Sequence, residues 1–116
     1  MQRPDLQRLE HIRDYCSEIE QTISRFGDSF EVFDMDADFQ RSVSFCILQI
    51  GELCNGLSKE FQAETSDRTP WKLIIWMRNL VAHHYGSMSR DVIWETVKSD
   101  IPALKAFCEE QMESGK

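Results

Sequence analysis

Residues 71–85 read WKLIIWMRNLVAHHY, and the helix they encode dictates what the rest of the chain must provide. Trp71, Leu73, Ile74, Ile75, Trp76, Met77, Leu80, Val81 and Ala82 place apolar groups nearly all round a helix, the pattern of a central, buried element. Pro70 suits a first turn, Thr69 is a candidate cap, and Gly86 with Ser87 stops the helix. A helix buried on all sides needs neighbours on all sides. The chain therefore has to supply other long amphipathic elements.

Working outward, the preceding segment starts at Asp36 or Asp38, either of which can cap it, and runs as one helix to about Ala63. Phe39, Val43, Cys46, Ile47, Ile50, Leu53, Cys54, Leu57 and Phe61 form its stripe, while Phe45 and Leu48 add apolar surface off it. Such a helix packs on two neighbours, and a second subunit is one candidate. Gly51 in its middle costs about 1 kcal/mol against alanine, so close approach of another backbone is expected there. Beside it, Glu52 and Asn55 are polar groups in oily surroundings, with solvent exposure as the plain alternative.

At the N-terminus, Leu6, Leu9, Ile12, Cys16, Ile19, Ile23 and Phe26 fall at gaps of three and four, which predicts a helix over Pro4–Phe26 ended by Gly27. Residues 28–36 (DSFEVFDMD) read as a connector with room for a short turn. After the central helix, Ser89 and Asp91 open a last helix. Ile93, Trp94 and Val97 give its inner face, and Ile101, Leu104, Phe107, Cys108 and Met112 continue it. Pro102 is a point where this helix bends or restarts, because proline lacks the interior donor. No strand alternation, repeat or low-complexity tract stands out. The expectation is one all-α domain over residues 1–116, an up-down bundle of four long helices, the last either continuous or broken near Pro102.

Composition narrows the function. The net charge of −7 argues against a broad basic nucleic-acid surface, but a small, local phosphate site is compatible with it. No signal peptide and no apolar run of roughly 18 residues is visible, so a cytoplasmic protein without a membrane span is expected. Cys16, Cys46, Cys54 and Cys108 show no zinc spacing and fall on apolar faces, which reads as buried, reduced thiols.

The end of the central helix is chemically unusual: Arg78-Asn79-Leu80-Val81-Ala82-His83-His84-Tyr85. Arginine offers a planar fork matched to phosphate. Histidine, with a reference pKa of about 6.5, can take a proton from a ribose 2′-OH or return one to a leaving 5′-oxygen. Together they suffice for metal-independent RNA cleavage by internal attack on phosphorus. No carboxylate set is present to hold magnesium, and no metal or cofactor is expected. Asn79 and His83 are four apart, so an amide–imidazole hydrogen bond can orient the ring. Arg78 and His83, five apart, diverge by about 140° round a regular helix. A facing copy of the helix eases that separation and brings two histidines to one groove. The plain readings stand beside these: a helix-end cap, a dipole-favoured histidine, a solvent-facing His84, a packing Tyr85 and a surface His11.

The same residues resemble a known family, the HepT-like toxins of the HEPN superfamily. Its R-N-x-x-x-H hallmark, extended to R-x4-H-x-Y, is filled by Arg78, Asn79, His83 and Tyr85. Ile50-Gly51-Glu52 with Leu57-Ser58, Pro70-Trp71 through Met77-Arg78-Asn79, and Trp94-Glu95-Thr96-Val97 with Asp100-Ile101-Pro102 resemble its other blocks, so the likeness spans about residues 5 to 112. The resemblance implies a HEPN-like bundle forming a homodimer with the motif helices at a cleft. It implies a metal-independent ribonuclease toxin with Arg78 and His83 catalytic and RNA, tRNA among the candidates, as substrate; Asn79 and His84 beside them are read as supporting groups. It further implies a minimal nucleotidyltransferase antitoxin that transfers AMP from ATP to Tyr85. The alternative is a non-catalytic subunit that binds a nucleotide or substrate for such a transferase.

Overall fold

The computed structural model describes residues 1–84 and 90–115, with the His84 side chain also outside the description. Among the described residues six helices follow in order: α1 (Arg3–Phe26), α2 (Phe30–Met35), α3 (Ala37–Gly56), α4 (Lys59–Thr65), α5 (Trp71–His84) and α6 (Arg90–Ser114). The four long ones, α1, α3, α5 and α6, make the all-α bundle, and no strand occurs among the described residues. No helix there is long and apolar enough to cross a membrane.

Local chemistry sets the ends. The α1 stripe buries Leu9, Ile12, Cys16 and Ile19 completely. The helix stops at Gly27, which takes φ 126° and donates its N–H to the Ile23 carbonyl, a backbone conformation that glycine reaches without a Cβ clash. Of the two cap candidates for α3, Asp36 does the work: its carboxylate accepts from the Asp38 and Phe39 N–H groups at 3.0 and 3.1 Å. The connector holds the short helix α2, because Phe33 folds into the core against Phe39 and Trp94.

Three expectations are corrected. The segment expected as one helix from Asp36 or Asp38 to Ala63 is two, broken at Leu57-Ser58. Ser58 caps α4 by accepting from the Phe61 N–H, and its own N–H and hydroxyl donate to the buried Asp5 carboxylate of α1 at 2.8 and 2.6 Å. Gln62 donates to the Leu57 carbonyl just past the end of α3, and to the Cys54 carbonyl, which also accepts from the Leu57 N–H. These partners satisfy the groups that a helix break exposes. Conversely, α6 runs unbroken through Pro102. Pro102 lies on the exposed side, where water can satisfy the Lys98 carbonyl deprived of its N–H.

The third correction concerns α5, which is not buried all round. The central pair is α1 with α3: α1 packs on α3 and α6, and α5 packs chiefly on α3. Trp71, Met77 and Val81 point into the core, whereas Leu73 and Trp76 stand 44% and 49% exposed. Trp71 is fixed by its indole N–H donating to Thr65 Oγ1, which donates in turn to the Phe61 carbonyl.

All four cysteines are buried and unpaired. Burial pushes the Cys46 and Cys108 thiols up to about 12 and raises Cys16 and Cys54 as well. Thiolate is the reactive form, so native protein at pH 8 is expected to resist Ellman's reagent while urea-unfolded protein reacts at all four thiols. Rapid labelling of the native protein would contradict this core.

Candidate active site at the end of helix α5

The structure anchors Arg78 where α3 and α5 come closest. A Cβ built on Gly51 would lie 2.2 Å from Arg78 Cβ and 2.6 Å from its Cγ. Only a glycine lets the arginine stem lie directly on the α3 backbone. The close approach expected at Gly51 is therefore present, and it serves Arg78. One residue on, Glu52 reaches across: its Oε1 lies 3.1 Å from Arg78 Nε in an ion pair. That contact is not in hydrogen-bonding geometry, and Arg78 Nε is buried without a hydrogen-bond partner among the described residues. The arginine side chain is 22% exposed and that of Glu52 59%, so the cation sits at the protein edge with its base shielded.

His83 lies one turn and a half further along α5 and is exposed, as is Asn79. No hydrogen bond joins the two among the described residues. Arg78 faces α3 while His83 faces outward, the divergence of about 140° that helix geometry gives. One chain thus fixes Arg78 and His83 at the same helix end but on different sides. The side chain of His84 and the whole of Tyr85 lie outside the described residues. No group of three or more His, Cys, Asp or Glu side chains among the described residues could hold a metal ion.

Glu52 is the participant that residue-by-residue reading left unassigned. Its signal was present as a glycine–acid pair inside an oily helix, but the partner lies on another helix and no spacing rule names it.

The fold and the site define a class: an all-α bundle bearing an R-x4-H motif at the end of a helix clamped by glycine. The chain belongs to the ribonuclease HepT-like family, whose model matches residues 9–111. A protein of Caldanaerobacter subterraneus subsp. tengcongensis, provisionally named as an RNase, is 34% identical over 108 residues, covering 93% of this chain and 94% of that one. A protein of Thermococcus cleftensis, provisionally named as a ribonuclease HepT, is 31% identical over 98 residues, covering 80% and 88%. A Methanocaldococcus jannaschii protein, also provisionally named as an RNase, is 32% identical over 56 residues, or 48% and 50%. No solved structure gives a significant match.

Proposed function

We propose that this protein is a metal-independent endoribonuclease that acts as the toxin of a toxin–antitoxin pair. The observation that supports this most directly is the Arg78 anchor: a glycine and a carboxylate on α3 position one guanidinium beside an exposed histidine. In the reaction, Arg78 holds the non-bridging oxygens of an RNA phosphodiester. His83 accepts the ribose 2′-OH proton as O2′ bonds to phosphorus. The P–O5′ bond breaks, and the leaving 5′-oxygen takes a proton from a protonated histidine. The products are a 2′,3′-cyclic phosphate and a 5′-hydroxyl. Because Arg78 and His83 of one chain diverge, a homodimer with two α5 helices lining one cleft supplies both an acid and a base. Asn79 and His84 border that cleft as supporting groups.

The partner is a nucleotidyltransferase antitoxin of the minimal type. The Tyr85 oxygen attacks the α-phosphorus of ATP, pyrophosphate leaves, and the resulting AMP-tyrosine sets bulk and negative charge beside the phosphate site. Tyr85→Phe is expected to keep cleavage yet accept no AMP when incubated with the transferase and ATP, read by intact mass. Undiminished modification of the variant would move the acceptor elsewhere.

A second reading draws on the Arg78–Glu52 pair, which leaves the guanidinium partly engaged: a non-catalytic subunit that binds a nucleotide or substrate for the transferase. The deciding experiment is incubation of total RNA, then tRNA, with purified, unmodified protein in EDTA. Cleavage that persists in the chelator supports the nuclease. Intact RNA in every reaction transfers the site to the binding reading, and cleavage lost only on chelation points to a metal site.

A further inference from the structure

Helix α5 carries two groups that the cleavage chemistry does not use, Lys72 and Trp76, in line with Asn79 and His83. Lys72, Trp76, Asn79 and His83 are spaced four, three and four, so they fall on one line within an arc of about 60°. That line is the side opposite Met77 and Val81, and Lys72, Asn79 and His83 on it are exposed. Trp76 is unlike the other tryptophans. Trp71 and Trp94 pack in ring clusters, whereas Trp76 meets no other ring among the described residues and is 49% exposed. This half-exposed indole, with Leu73 44% exposed three residues before it, offers apolar surface to an occupant.

Charge says which occupant fits. In a chain of net charge −7, α5 has no aspartate or glutamate, while each of the other five helices has at least two. The face also continues beyond Lys72. A groove of about 480 Å³ at the α4–α5 junction is lined by Lys59, Gln62, Ser66 and Lys72, among others. Two ammonium groups, an amide and a hydroxyl thus extend the line away from His83. The distance from Trp76 to His83 is roughly 10 Å along the helix axis, within reach of a nucleotide near the cleaved bond. A flat aromatic face between Lys72 and the Asn79–His83 end, on a helix without acids, suits the bases and backbone of a single strand.

We propose that Trp76 is the stacking platform for an unpaired base of the RNA substrate, and that Lys72 holds the next phosphate as the strand runs toward the α4–α5 groove. The enzyme therefore selects single-stranded RNA, since a base inside a duplex cannot lie on the indole. This rests on the ribonuclease reading and adds a substrate class to it.

The test uses a single-stranded 2′-O-methyl oligonucleotide, which lacks the attacking hydroxyl and stays intact, titrated by fluorescence anisotropy into the full-length protein. The same sequence as a duplex runs beside it, with sedimentation of every variant and cleavage of ordinary RNA. Trp76→Ala is expected to weaken single-strand binding by about ten-fold or more, and Trp76→Phe to restore most of it. Lys72→Gln is expected to weaken binding and reduce the salt slope by about one. The duplex binds more weakly than the single strand. The stacking role is overturned if folded Trp76→Ala binds like wild type, or if duplex and single strand bind alike. It is equally overturned if Trp76→Ala turns a wild-type dimer into monomers, because the indole then belongs to the contact between copies. If the wild type neither cuts RNA nor binds the oligonucleotide, the ribonuclease reading falls first and the platform with it. Cleavage by the wild type with no effect of Trp76→Ala removes the platform alone.

Discussion

Replacing His83 by alanine is expected to reduce RNA cleavage by about 10²-fold or more, the range that loss of a general acid–base removes, with little change in the melting temperature. His83 is exposed and makes no hydrogen bond among the described residues, so a fall in activity cannot be charged to unfolding. Arg78 needs a different control. Its stem lies on Gly51, and Arg78→Ala removes packing as well as the cation. Arg78→Lys keeps the charge and much of the stem but loses the planar fork. Cleavage lost in both Arg78 variants, with circular dichroism and melting near wild type for the lysine, assigns the fork to phosphate. Full activity in folded His83→Ala would remove the histidine from the reaction and leave the binding reading as the better account.

Gly51→Ala is the second large effect, and here stability and activity are expected to fall together. The added Cβ meets Arg78 Cβ at 2.2 Å and Cγ at 2.6 Å, with Arg78 Cα at 3.5 Å. These atoms are close to the α5 backbone, so a rotamer change cannot clear them and the two helices must separate. Overpacking of this kind costs about 1–3 kcal/mol, against a gain of about 1 kcal/mol from alanine's helix propensity. The net loss of stability is therefore modest and readable in urea. Activity falls further, since a displacement of about 1 Å at a positioning group costs on the order of 10²-fold. Wild-type stability and cleavage in Gly51→Ala would mean that α3 and α5 do not meet at this glycine. Gly51→Val enlarges the same clash and orders the series.

Much of the molecule was legible along the chain because the signals are local. The gaps of three and four in α1, the Asp36 cap, and the long stripe of α6 depend on residues within a turn or two of each other. So does the motif that places Arg78, Asn79 and His83 on one helix end, and with it the divergence of Arg78 from His83. The Gly51 anomaly was also visible, as a cost without a visible compensation.

The rest depended on residues that meet only in the folded chain. The break at Leu57-Ser58 is stabilised by Asp5 from the first turn of α1, which no local stripe reveals. Pro102 leaves α6 whole because its ring faces water, a matter of which side α1 covers. Helix α5 reads as buried all round, yet it packs chiefly on α3 and leaves Trp76 in solvent. Periodicity counts apolar faces but cannot count neighbours. Glu52 becomes the partner of Arg78 only when α3 and α5 lie together. The sequence by itself determined that four long helices form and which chemical groups end α5. Tertiary packing decided which of those groups are shielded, which are paired and which face outward, because shielding and pairing are properties of neighbours brought together from distant parts of the chain.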